Sequence, residues 1–226
     1  MIIYGKQLFL HVLDRHPEIL KEIYLTKECD KNLFKKIVRL NLPTKRLDFK
    51  KAQSLAKGGN HQGFLALCED FKFAKISDLK KSNFITILYN LNDIGNIGAI
   101  TRTAYALGCD GIVVVCKNLA IEGVVRASCG GAFEIPIAIC ENGLDLLNEL
   151  KQCGFKIFAT AANGDSCFEK SEKIALVMGN EGDGLLPKVL SKCDKTLAIK
   201  MKNSFDSLNV SVTFAIFCDR ILNGRF

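Results

Sequence analysis

The sequence predicts an α/β protein of two parts: a small mixed α/β domain over residues 1–70 and a larger parallel-sheet domain over residues 84–226. Three observations carry this. From Phe84 onward, apolar runs of five to eight residues alternate with stretches of helical periodicity, as in strands joined by crossover helices. Those runs are rich in β-branched residues and unbroken, which suits strands covered on both faces. Before Phe84 the segments are shorter and less regular, and 226 residues suffice for two cores.

In the first part, Gly5–Asp14 has a helical apolar pattern (Leu8, Phe9, Val12, Leu13) that stops near Pro17. Glu22–Leu25 reads as a strand. Lys31–Leu40 reads as a helix with Leu33, Phe34, Ile37 and Val38 on one face. Lys45–Phe49 is extended, Phe49–Ala56 is a brief helix ended by Gly58-Gly59, and Phe64–Leu67 is a strand. The lysine-rich stretch 71–83 has weak periodicity and reads as a linker. In the second part the strands are Phe84–Leu91, Gly111–Cys116, Ile135–Ile139, Lys156–Ala161, Ile174–Met178 and Thr196–Met201. Helices fall at Ile97–Leu107, Leu119–Cys129, Gly143–Lys151, Pro187–Ser191 and Leu208–Leu222. A sheet of this kind takes its ligand outside the carboxyl ends of its strands.

Composition narrows the classes. A chain with 48% hydrophobic and 24% charged residues can build a real core. No stretch approaches the ~20 apolar residues of a membrane-spanning helix. The start, Met1-Ile2-Ile3-Tyr4-Gly5-Lys6, lacks the features of a signal peptide, so a cytoplasmic location and no membrane partner are expected. The ten cysteines are never closer than seven residues and only His11, His16 and His61 accompany them, which excludes C-x-x-C zinc and redox motifs. They read as small buried apolar residues. Residues 1–83 hold 17 Lys/Arg against 9 Asp/Glu, whereas residues 84–226 hold 14 against 15. The positive field of the first part suits a polyanion.

Polar and glycine residues crowd three strand-to-helix junctions. The first runs from Asn92 to Arg102 and includes Gly95, Asn96 and Gly98. A dinucleotide fingerprint would need a third glycine and an acid ending the next strand, but that strand ends Val115-Cys116-Lys117. The second, Gly179-Asn180-Glu181-Gly182-Asp183-Gly184, lets backbone approach a ligand closely. Glu181 there is either a positioned charge or a turn acid. The third runs from Ile199 to Val212; Ser207 reads as a helix cap, and Asn209 as a first-turn amide free to face a ligand.

Together, the N-x-G-x-x-x-R of Asn96, Gly98 and Arg102, the G-x-E-G-x-G of Gly179–Gly184, and Ile199-Lys200-Met201 followed by Ser207-Leu208-Asn209-Val210-Ser211 resemble the ordered motifs of the SpoU family of RNA 2′-O-ribose methyltransferases, in the SPOUT superfamily. Tyr4-Gly5 and His61-Gln62-Gly63 are similar to the substrate-binding domain of the branch that modifies a guanosine in large-subunit (23S) ribosomal RNA, with tRNA the alternative target. The chain departs from the family at Lys200, where proline is usual, and at Asn203, where glycine is usual.

The resemblance implies a trefoil-knotted catalytic domain preceded by an RNA-binding domain, S-adenosylmethionine as cofactor, and a homodimer formed through the last helix. Phe214, Phe217 and Ile221 either face such an interface or pack on their own sheet. It assigns Arg102, Glu181, Asn96 and Asn209 to catalysis. It places Gly179, Ile199 and Leu208, with Met178, Met201 and Ser207 nearby, around the cofactor. Arg126 and Lys117 are candidates for phosphate contact. No carboxylate cluster suggests a catalytic metal. A non-enzymatic RNA-binding module would explain the N-terminal charge but not the three motifs.

Overall fold

Hydrogen-bonded pairing in the computed structural model resolves the alternating runs into two sheets in two units. The structure describes every residue except 168–170, 181, 183, 204–206 and 225–226. Unit 1 comprises Met1–Lys72 with Ile121–Gly130, and unit 2 comprises Phe73–Ala120 with Gly131–Phe226.

Unit 1 carries four strands, β1 (Ile2–Tyr4), β2 (Leu20–Leu25), β3 (Thr44–Arg46) and β4 (Phe64–Cys68), in the order β1-β4-β2-β3. β2 and β3 run parallel, and β4 is antiparallel to both β1 and β2. Helices α1 (Lys6–Arg15), α2 (Lys31–Arg39) and α3 (Phe49–Leu55) cover it. Asp30 and Asp48 cap the last two, each accepting from backbone N–H groups of the first turn. α1 buries Leu8, Phe9, Val12 and Leu13, the stripe its periodicity indicated. α2 differs: Leu33 and Ile37 are buried, but Phe34 is 47% and Val38 59% exposed. At 3.6 residues per turn each lies about 100° from its buried neighbour, too far round to share its face.

Unit 2 begins with α4 (Ile76–Leu79), inside the stretch expected to be a linker. Leu79 is 2% exposed and packs into the core over Gly111, where an added Cβ would lie 2.2 Å from Leu79 Cδ2. Residues 73–83, expected as a linker, lie in unit 2 and give Leu79 to its core. The remaining strands are β5 (Phe84–Tyr89), β6 (Gly111–Val115), β7 (Ile137–Cys140), β8 (Lys156–Asp165), β9 (Ile174–Met178) and β10 (Lys195–Leu197). They form one sheet in the order β10-β8-β9-β5-β6-β7, and every neighbouring pair is parallel. β5, β6 and β9 are buried along their whole length, as unbroken apolar strands require.

Helices α5 (Ile94–Leu107), α7 (Gly143–Gln152), α8 (Pro187–Leu190) and α9 (Val210–Asn223) belong to this unit. The helix between β6 and β7, α6 (Ile121–Ala127), belongs to unit 1, where Arg126 lies over the Tyr4 ring at 4.7 Å from its centroid. Phe214, Phe217 and Ile221 of α9 are at most 9% exposed within their own chain, which corrects the interface alternative for them. Val212 and Leu222 are the exposed apolar residues of that helix. Of the ten cysteines, all free, only Cys68, Cys109 and Cys218 are fully buried, while Cys153 and Cys167 are exposed. Among the described residues no helix is long and apolar enough to cross a membrane.

Candidate active site

Strand order locates the site. The chain leaves β5 toward β6 and β7 on one side and later fills the other side with β8, β9 and β10. The direction of winding thus reverses between β5 and β9, where a parallel sheet opens its crevice. Leu88 pairs with Met178 at the ends of these strands, so the first and second glycine-bearing loops leave the sheet side by side.

In the first loop Asp93 is the N-cap of α5. Its Oδ1 accepts from the backbone N–H of Asn96 at 2.6 Å and fixes the first turn. The helix starts at Ile94, three residues earlier than its apolar pattern indicated, so Asn96 stands within its first turn. Arg102 lies on the same helix and is exposed.

The third loop comes back to the same place. β10 ends at Leu197, short of the expected strand, so Ile199, Lys200 and Met201 lie beyond it. β8 instead runs on to Asp165, whose carbonyl accepts from Ala198 N at 2.8 Å, while Lys195 pairs with the Asp165 carboxylate at 3.0 Å. α9 begins at Val210, and its N-cap is Asn209, not Ser207. Asn209 Oδ1 accepts from Ser211 N at 2.8 Å, and Asn209 Nδ2 donates to Asn96 Oδ1 at 3.0 Å. One amide thus caps α9 and joins the third motif to the first. Asn209 therefore stands at the N-cap of α9 and not inside its first turn.

In the second loop Gly179 and Gly184 nearly touch. A Cβ on Gly179 would fall 2.5 Å from Gly184 C and 2.8 Å from both Gly184 O and Leu185 N, so only glycine fits. Asn180 Oδ1 accepts from Gly182 N and Gly184 N at 3.1 and 3.2 Å and holds the hairpin-like turn. Glu181 lies outside the described residues. Met178 is fully buried, and the Thr160 hydroxyl lies 3.7 Å from its sulfur. Ile199 and Met201 are half-buried, and Ser207 and Leu208 are exposed.

The two candidate phosphate ligands fall in different units: Lys117 is exposed after β6 in unit 2, and Arg126 is on α6 in unit 1. Sequence reasoning missed Asp93 and Asn180. The first was legible as an acid three residues before Asn96, the capping spacing. The second stands in a glycine-rich turn where asparagine commonly holds backbone N–H groups.

A parallel sheet whose two glycine-bearing loops leave side by side at the switch point, with a third loop tied to the first through Asn209 and Asn96, has the arrangement of a ligand-binding α/β protein. The family described as SpoU rRNA methylase matches residues 83–219, and one described as RNA 2′-O ribose methyltransferase substrate binding matches residues 2–74. The chain belongs to the SpoU rRNA methylase family. A relative in Staphylococcus aureus, named as a TrmH family tRNA/rRNA methyltransferase, is 30% identical over 202 residues, covering 84% of this chain and 79% of its own. A Bacillus subtilis relative of the same name is 33% identical over 180 residues, 74% of this chain and 72% of its own. The crystal structure of an AdoMet-bound rRNA methyltransferase from Sinorhizobium meliloti shares the fold with a TM-score of 0.81 at 24% identity, over 100% of this chain and 87% of that one.

Proposed function

We propose that this protein transfers a methyl group from S-adenosylmethionine to a ribose 2′-hydroxyl of structured RNA. A guanosine of 23S ribosomal RNA is the first candidate target and tRNA the second. The observation that carries the reading is the Asn209–Asn96 hydrogen bond at the switch point, which ties two of the three family motifs into one site. The names of the relatives support RNA as substrate without separating rRNA from tRNA. A non-catalytic RNA-binding module would have no need of that tie or of the close-packed Gly179 turn.

The Gly179 turn fits the cofactor because it closes on its own backbone, a Cβ at Gly179 meeting Gly184 and Leu185, while a Cβ at Gly184 would stand in open space, so no side chain covers that backbone. Gly179, Ile199 and Leu208 would hold S-adenosylmethionine, with Met178, Met201 and Ser207 nearby. The cofactor supplies an electrophilic methyl group on a sulfonium. The chain's own part is to bring the ribose oxygen to it in line, with the 2′-proton passing to water. Arg102, a permanent cation, clamps an RNA phosphate through its planar fork and stabilises the developing alkoxide. Asn96 and Asn209 hold the start of α5 and so the helix that presents Arg102. Glu181 keeps the catalytic assignment that the family resemblance gives it. Lys117 in unit 2 and Arg126 in unit 1 are each candidates for phosphate contact.

The loop after β10 threads as a trefoil knot in this reading, and the protein works as a cytoplasmic homodimer through α9. The test is to map 2′-O-methyl positions on total RNA from cells with and without the gene. Loss of one rRNA position, restored by the wild-type gene and not by an Arg102→Ala copy, is expected. A lost tRNA position would transfer the reading to tRNA, and an unchanged map would overturn it.

A further inference from the structure

Unit 1 contains a pocket of about 320 Å³ that none of the three motifs uses. It lies where the loop after β2 enters α2, beside the end of β3. Buried Leu25 contributes to its lining, and Phe34, Lys27, Lys31, Lys35, Arg46 and Glu28 form its walls. Two features are out of place in a merely soluble surface. Phe34 keeps 47% of its surface exposed beside a helix face that buries Leu33 and Ile37 completely enough to do without it. Lys31 and Lys35 stand four apart on the same helical face, where like charges repel. Arg46 adds a third cation and Lys27 a fourth. The single acid, Glu28, lies 3.8 Å from Arg46 in an exposed pair too weak to neutralise the cluster.

An exposed aromatic ring walled by cations is the arrangement that receives an unpaired base, because the ring stacks on any base while the cations take the adjoining phosphates. We propose that this pocket is a nucleotide subsite: one unpaired base of the RNA stacks on Phe34, and its flanking phosphates lie against Lys27, Lys31, Lys35 and Arg46. It rests on the reading that the chain acts on RNA and names the part of the RNA this unit grips. A protein partner seated on the apolar Phe34–Val38 stripe is the competing occupant. Charge decides against it, since four cations surround one end of the stripe.

The test uses the full-length protein, fluorescence anisotropy, and a twelve-nucleotide oligo(U) with a duplex of the same length for comparison. Phe34→Ala and Phe34→Leu should each weaken single-strand binding about ten-fold, whereas Phe34→Tyr keeps it, because stacking needs a ring and apolar burial does not. Replacing Lys31 and Lys35 with Gln should lower the slope of log affinity against log salt by about 1.4, and Glu28→Gln should tighten binding. Duplex binding should be insensitive to Phe34. If Phe34→Leu binds like wild type, or Val38→Ser weakens binding as much as Phe34→Ala, the subsite is overturned. Methyl transfer to ribosomal RNA measured alongside separates the two readings. A wild type that transfers methyl groups while Phe34→Leu leaves its KM unchanged overturns the subsite alone. A wild type that neither binds nor methylates RNA overturns both.

Discussion

Arg102 sets the sharpest question at the scale of single residues. A guanidinium is a permanent cation in proteins, and a neighbouring phosphate favours the charged form further, so it is poorly suited to remove the 2′-proton itself. Arg102→Lys separates a base from a clamp. Lysine's pKa is roughly two to three units lower, so a base would move the inflection of the pH–rate profile down by about that much. The expected result is a rate lower by about 10²–10³ with the inflection in place, because an ammonium cannot reproduce the fork. Gly179 gives a second prediction. In Gly179→Ala the new methyl meets Gly184 and Leu185 backbone, which cannot swing aside as a side-chain tip can. Calorimetry should show S-adenosylhomocysteine binding weakened at least ten-fold, with circular dichroism unchanged. Asn209→Ala should be less local. It removes a helix cap, typically about 1 kcal/mol of stability, and also frees Asn96, so both Tm and turnover should fall.

Among the elements, strands read more reliably from sequence than the segments between them. Ile174–Met178 matches β9 residue for residue, because a five-residue apolar run bounded by Lys173 and Gly179 is too short for a helix and suits a strand buried on both faces. The site was legible as three loops, but their contact was not: that Asn209 would cap α9 and reach Asn96, 113 residues away, follows from strand order. α4 was missed because four residues are too few to show a period, and Leu79 is its one fully buried residue. Leu79→Ala should therefore cost about 2–5 kcal/mol in urea unfolding, the range for a fully buried leucine, where a linker leucine would cost almost nothing. Asp194 shows how β8 is anchored. Partial burial works to raise its carboxyl, but the Ile157 N–H at 2.8 Å and Lys151 at 2.9 Å outweigh that and hold it below the ordinary carboxylate value. A carboxyl depressed in the folded state contributes stability above its unfolded value, near 3.9, and loses it as pH falls through the folded value. Asp194→Asn should thus be less stable than wild type by about 1 kcal/mol at pH 7. The gap should close as the pH drops below about 4; a gap that persisted at pH 2 would mean the ion pair is not its source.

For the whole molecule the useful quantity is how charge divides between the two units. Cutting the sequence at residue 83 assigns +8 to the first part and −1 to the second. The structure moves the boundary, because residues 73–83 carry Lys75, Lys80 and Lys81 into unit 2 and α6 brings Glu122 and Arg126 into unit 1. Unit 1 then holds 15 Lys/Arg against 9 Asp/Glu, and unit 2 holds 16 against 15. The asymmetry shrinks but keeps its sign, and a net +6 on the smaller unit is still a strong local field for phosphates. Each lysine that neutralises a duplex phosphate releases about 0.9 of a counterion, so its loss lowers the salt slope by about that much. Neutralising Lys50, Lys51 and Lys57, three exposed lysines of unit 1, should cut the slope for structured rRNA by about two to three. Neutralising the exposed Lys156, Lys188 and Lys192 of unit 2 should leave it nearly unchanged, although both triple variants lose the same total charge. Equal slopes for the two would mean that net charge alone attracts the RNA. A larger loss from the unit 2 variant would place the docking surface on the sheet domain.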